Sequence, residues 1–163
     1  MLPTKLIYWD SCIFLAWLKD EDRPEGEMDG VYECVEGVER NTVRLITSVL
    51  TRTEVLEADL DDHTRNLYSQ LLKRRNVQLV DNDLRVSNLA REIREYYREK
   101  PSLKTDDAIH LATAIHYRAD AFYTFDEGKH GGRSLLSLNG NVAGYPLKVC
   151  KPEVTQYRLR LRV

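Results

Sequence analysis

Two spacings of apolar residues alternate along the chain, one of period two and one of period three to four, and the switches between them mark the elements. Leu6-Ile7-Tyr8-Trp9 is a short β-rich run ending at Asp10-Ser11, and Ile13, Phe14, Trp17 and Leu18 behind it recur at helical spacing. The pattern therefore predicts a strand, a carboxylate and a helix in that order. Residues Asp20 to Gly30 interrupt it with Asp20, Glu21, Asp22, Glu25 and Glu27 among Pro24, Gly26 and Gly30, which reads as an exposed acidic loop before a short helix over Val31 to Glu39. Val43 to Ile46 makes a second strand. Thr47-Ser48 then caps a helix carrying Val49, Thr53, Leu56 and Leu60 on one stripe, with Glu54 beside it. A helix restarts at Asp61 or Asp62 and runs through Leu67, Leu71 and Leu72. Val77 to Val80 is a third strand, and Asp81-Asn82-Asp83 caps a helix from Leu84 to about Lys100, where Pro101-Ser102 ends it. Ala108, Leu111, Ala112 and Ile115 stand at i, i+3, i+4 and i+7 of the next helix. Ala121 to Phe125 is a fourth strand ending at Asp126, Gly128 to Gly144 is glycine-rich and weakly patterned, and Leu147 to Val149 makes a fifth strand. Finally Tyr157, Leu159, Leu161 and Val163 alternate with Arg158, Arg160 and Arg162, the pattern of a half-buried strand with a basic outer face.

Strands separated by helices imply a parallel sheet covered on both faces, and ligand sites in such sheets lie beyond the carboxyl ends of the strands at a switch point in strand order. Asp10 and Asp126 stand where two strands end, Asp107 opens a helix after a loop, and Glu54 lies on the helix after the second strand. All four converge in this reading. Composition adds little to the picture: 163 residues, 42% hydrophobic and 31% charged, suit one ordinary globular domain, and a net charge of -2 leaves nucleic-acid binding to local basic patches. Cys12, Cys34 and Cys150 form no metal or disulfide pattern, and no apolar run reaches the length of a signal core or a membrane span, so a cytoplasmic protein is expected.

Gathered carboxylates repel one another and resist dehydration, so such a cluster needs a hard cation, a basic side chain or shared protons. Magnesium or manganese fits an open set of oxygen ligands, keeps several waters and binds substrate phosphates, which points to phosphodiester hydrolysis. The segments Ile7-Tyr8-Trp9-Asp10-Ser11, Thr47-Ser48 followed by Glu54, Thr105-Asp106-Asp107-Ala108-Ile109-His110-Leu111-Ala112-Thr113-Ala114 and Tyr123-Thr124-Phe125-Asp126 resemble, in order and spacing, the motifs of the PIN-domain family. The likeness covers roughly Leu6 to Val149 and is nearest to the VapC-like ribonuclease toxins. It implies a three-layer α/β/α sandwich with a central, mostly parallel sheet. It further implies a Mg2+- or Mn2+-dependent endoribonuclease acting on RNA, a homodimer and an antitoxin partner. The family's acids fall on Asp10, Glu54, Asp107 and Asp126, as catalytic and metal-binding residues, with Ser11 and Thr124 as polar supports. Residues 1–150 would be the nuclease domain and 151–163 a basic tail packed on it. Many members place another acid and a phenylalanine after the fourth acid, whereas here Glu127-Gly128-Lys129-His130-Gly131-Gly132 follows.

Each acid also has a plainer use. Asp10 and Asp106 are natural helix caps, and Asp106 is assigned that role; Asp126 suits a turn before Gly128, and Glu54 a solvated helix face. His110, on an apolar helix, reads as a packing residue. Arg91, Arg94 and Arg98, interleaved with Glu92, Glu95 and Glu99, read as a salt-bridged exposed face. Lys73-Arg74-Arg75 and the group Lys129, His130 and Arg133 are the better phosphate contacts. Two rivals stand beside the nuclease: a non-catalytic PIN-like binding module, and a haloacid-dehalogenase-like phosphatase, which would want an acid where Cys12 stands.

Overall fold

Strand β1 (Lys5–Trp9) is the centre of the molecule because its side chains divide between two apolar layers. Ile7 and Trp9 point to one face, where they meet helices α1 (Ser11–Leu18), α2 (Glu27–Glu39) and α4 (Asp62–Leu72). Tyr8 points to the other, where α5 (Leu84–Tyr96) and α6 (Thr105–His116) close over it. The period of two in β1 is thus read out as two separate cores, one on each side of a single sheet. Aromatic rings fix the registry of both: Trp9 meets Phe14 edge-on at 5.0 Å, and Tyr8 stacks on Phe122 at 5.0 Å.

The computed structural model describes residues 4–129 and 131–155; the alternating run from Tyr157 and His130 lie outside the described residues. Five strands form one sheet in the order β3-β2-β1-β4-β5, every neighbouring pair parallel, from β2 (Val43–Ser48), β3 (Val77–Val80), β4 (Ala121–Tyr123) and β5 (Val149–Cys150). This is the three-layer α/β/α arrangement expected from the alternation of strands and helices. The chain winds from β1 outward to β3, then returns to the opposite side of β1 for β4 and β5. Between β1 and β4 the direction of winding reverses, and a crevice opens at their carboxyl ends.

Several elements differ from the sequence expectation. Helix α2 begins at Glu27 rather than Val31, taking the end of the acidic loop into its first turn, where Glu27 and Asp29 favour the positive helix end. Helix α5 stops at Tyr96, and Lys100-Pro101-Ser102 follows as irregular chain. The stripe from Val49 to Leu60 does not form one helix: α3 (Leu50–Glu54) has a single turn and more, then Val55 turns extended and drops into the core at 1% exposure. Leu56 is left 60% exposed. Burial of Val55 and the contacts made by Glu54 override the helical spacing. Thr47 and Ser48 end β2 instead of starting a helix, although the Ser48 hydroxyl does accept the Leu50 N–H. The segment after β5 folds back on α2: Lys151 pairs with Glu27, Thr155 donates to Glu33, and Pro152 lies against Gly30 so closely that a Cβ there would stand 2.2 Å from the Pro152 carbonyl oxygen.

Candidate active site

Asp10, Glu54, Asp107 and Asp126 line one cleft of about 450 Å³ at the carboxyl ends of β1 and β4, together with Ser11, Cys12 and Lys104. Each arrives by a different route. Asp10 ends β1 and is the N-cap of α1, its Oδ1 accepting the Ser11 N–H at 2.7 Å. Its other oxygen receives the Thr124 hydroxyl at 2.9 Å, so the cap and the cleft share one carboxylate. Glu54 is the last residue of α3, held where that helix stops by the Ser11 hydroxyl at 3.0 Å on Oε2 and by His110 Nε2 at 2.5 Å on Oε1. Asp126 makes the turn its sequence context suggested, accepting the Gly128 N–H at 2.7 Å, and Gly128 supplies the positive φ of 80° that this turn requires. Asp107 stands in the first turn of α6, and among the described residues its carboxylate makes no hydrogen bond or ion pair.

The charges feel one another. Burial, then the neighbouring Asp10, Asp106 and Asp126, push the Asp107 carboxyl up to about 7. Burial also raises Asp10, against the opposing pull of His110 and the Thr124 hydroxyl. Among the described residues no three acids, imidazoles or thiols are drawn in tightly enough to cage an ion. The donor set is carboxylate oxygen, open on one side and overcharged, which fits a hard divalent cation that retains waters rather than a closed N/S site. The thiol of Cys12 donates toward Asp10 and receives the Phe125 N–H; burial and Asp10 push it well above its ordinary value, so it is a poor nucleophile.

The PIN domain family pattern matches residues 7–130. The chain belongs to the PIN domain family. No curated protein matches it in sequence. Among solved structures, its fold is similar to VapBC2 from Rickettsia felis bound to a DNA fragment from their promoter, at 13% identity and a TM-score of 0.61 over 88% of this chain and 98% of that one. It is similar also to FitAB bound to an IR36 DNA fragment, at 18% identity and TM-score 0.57 over 93% and 99% of the two chains. A toxin–antitoxin complex from Klebsiella pneumoniae aligns at 19% identity and TM-score 0.52 over 76% and 88%. At such identities the likeness is one of fold. No described helix of this PIN domain is long and apolar enough to cross a membrane.

Two side chains of the PIN domain sit differently from their sequence reading. Asp106 is not the cap of α6; Lys104 occupies that position, and Asp106 lies in the first turn beside Asp107, lining the cleft and adding to the repulsion there. His110, read as packing, is fully buried yet belongs to the site. The Ser48 N–H donates to Tyr8 Oη at 3.1 Å, Tyr8 Oη meets His110 Nδ1 at 2.5 Å, and His110 Nε2 reaches Glu54. Burial pulls the imidazole down, but the Glu54 hydrogen bond and the charges of Asp10, Glu54 and Asp107 outweigh it, and the net shift is upward. His110 stands i+3 from Asp107, so one face of α6 carries both; that spacing was the available signal. Lys73-Arg74-Arg75 precede β3 at the amino edge of the sheet, opposite the cleft, and Arg74 there donates to the Glu39 carbonyl. Of the second basic group, Lys129 pairs with Glu127 on the rim, and Arg133 lies over the Tyr97 ring.

Proposed function

We propose that this PIN domain is a magnesium- or manganese-dependent endoribonuclease of the VapC type, the toxic member of a toxin–antitoxin pair. The observation that carries the reading is the convergence of Asp10, Glu54, Asp107 and Asp126, from four separate elements, in one cleft at the switch point of the sheet. The fold's likeness to toxin–antitoxin complexes supports the toxin assignment and an antitoxin partner; a homodimer belongs to the same reading.

The four acids would hold the cation, which when bound supplies an acidified water and neutralises charge at the phosphate. The chain's own contribution is positioning. Ser11 and Thr124 hold the two oxygens of Asp10, Ser11 and His110 hold those of Glu54, and Gly128 holds Asp126. Asp107 lacks such a partner among the described residues, and burial with its acidic neighbours raises its carboxyl. Among the described residues, Lys104 is the cation of the cleft left without an ion pair, Lys129 being tied to Glu127 and Arg23 to Glu21 and Glu27.

The test is cleavage of a labelled single-stranded RNA by the purified chain in Mg2+ or Mn2+. Cleavage that stops on chelation and is absent from Asp10→Asn, with both proteins folded by circular dichroism, is the expected result. RNA left intact in either metal would favour a non-catalytic binding module, and cleavage that survives thorough chelation would point to a mechanism without the acids as ligands.

A further inference from the structure

The stripe Arg91, Arg94 and Arg98 was expected to be neutralised by the glutamates between its members. Among the described residues only Arg98 of the three is paired, with Glu95 at 2.7 Å. Arg91 and Arg94 are exposed and make no ion pair or hydrogen bond with any described residue. They sit one turn apart on the same face of α5, and they line a hollow of about 540 Å³ between α5 and α6. Its apolar part is Ala90, Leu103 and Ile109, Asn82 and Ser102 add hydrogen-bonding groups, and the mutually paired Glu95 and Arg98 edge it. Two unpaired guanidinium groups facing a half-apolar trough, on a chain of net charge -2, are a local exception that asks for an anionic occupant.

The trough is not isolated. A second hollow shares Arg94, Ser102, Leu103, Thr105 and Ile109 with it and continues to Lys104 and Asp106. Lys104 and Asp106 in turn line the cleft of the four acids. A continuous path therefore runs from the acids past the unpaired Lys104 to Arg94 and Arg91. The paired Arg98 and Glu95 are shared with a further hollow, which adds the acids Glu92 and Glu99.

We propose that this α5–α6 trough seats the backbone of single-stranded RNA beyond the bond being cut, with Arg94 and Arg91 on successive phosphates and the half-buried Ile109 against the sugars or bases. It rests on the ribonuclease reading and names where the strand leaves that site. Guanidinium forks match phosphate oxygens, and an apolar floor tolerates any base, so the trough contributes affinity with little sequence preference.

The experiment uses the full chain carrying Asp10→Asn to suppress cleavage, with and without Arg91→Gln and Arg94→Gln together, and fluorescein-labelled oligouridylates of four and twelve nucleotides read by anisotropy at several salt concentrations. The arginine variant should bind the twelve-mer at least ~10-fold more weakly, with the slope of log K against log salt shallower by about 1.4, since each phosphate contact on a single strand contributes about 0.7. The four-mer, confined to the cleft, should be bound equally by both. In the chain with Asp10 intact, the same two substitutions should raise KM for long RNA and leave kcat in place. Twelve-mer affinity within twofold of the parent overturns the proposal, and an altered oligomeric state at unchanged RNA affinity assigns the face to a second copy instead. A parent chain that fails to cleave RNA in Mn2+ removes the ribonuclease reading itself. A cleaving parent with an indistinguishable arginine variant removes only the trough.

Discussion

Replacing Asp107 with asparagine isolates the electrostatic cost of the site, because this carboxylate makes no hydrogen bond among the described residues and the change is nearly isosteric. In the folded chain its carboxyl is pushed up to about 7 by burial and by Asp10, Asp106 and Asp126, against an ordinary value of 3.8. Between those values the folded state keeps a proton that the unfolded chain has lost, so metal-free stability falls as pH rises from about 4 to about 7 and then levels. Roughly three pH units at about 1.4 kcal/mol each give a total near 4 kcal/mol, of which about 3 kcal/mol is lost between pH 5 and pH 8. Asp107→Asn has no proton to lose and escapes that decline. Urea unfolding in chelator should find the variant more stable than the parent by up to about 3 kcal/mol more at pH 8 than at pH 5, a midpoint displacement on the order of 1 M. In saturating Mn2+ the advantage should shrink or reverse, since the parent gains the ion and the variant loses a ligand. A variant less stable than the parent at pH 8 without metal, or a gap that does not change with pH, would refute the account of these acids as a mutually repelling set.

His110→Phe keeps the ring and removes both nitrogens, leaving Glu54 Oε1 and the Tyr8 hydroxyl short of a partner. Chemical unfolding should show a loss of about 2–3 kcal/mol, and Mn2+ titrated by electron paramagnetic resonance should bind more weakly, with His110→Gln recovering part of the metal affinity. Unchanged Mn2+ affinity in a folded His110→Phe chain would reduce the histidine to packing. Gly30→Ala would set a methyl 2.2 Å from the Pro152 carbonyl oxygen, so thermal unfolding should show a cost of about 1–3 kcal/mol and the segment at 151–155 should become more open to proteolysis. A neutral outcome would mean that this segment is held by the Lys151–Glu27 ion pair and the Thr155–Glu33 hydrogen bonds and not by the close approach.

The layers of this fold were legible because β1 writes both of them into consecutive residues: Ile7 and Trp9 for one core, Tyr8 for the other. Sheet order was not, since nothing in a strand's own residues says which neighbour it will take. Glu54 could be found from its motif, but the end of α3 could not, because Leu56 and Leu60 fall at helical spacing and only the burial of Val55 and the pull of Ser11 and His110 break the helix there. His110 was passed over for a related reason. A buried histidine on an apolar face looks like packing until its two nitrogens are seen to reach Tyr8 and Glu54 from opposite sides. The arginines of α5 misled in the opposite sense. Arg91-Glu92 and Arg94-Glu95 are neighbours in the sequence and do not face one another on a helix, and an arginine four residues before its glutamate is the weaker orientation.

The sheet order has a bearing on the order in which the protein is made. β1 lies between β2, which follows it closely, and β4, which arrives only after Asp107 has been added. A growing chain can therefore assemble β1, β2 and β3 with Asp10 and Glu54 in hand while one flank of β1 and the floor of the cleft are still missing. Thr124, which orients Asp10, and Asp126 are made after Asp10, Glu54 and Asp107. On the ribonuclease reading proposed above, a partly translated chain lacks the groups that complete the cleft, even while it hangs from the machinery richest in RNA, until β4 docks against β1.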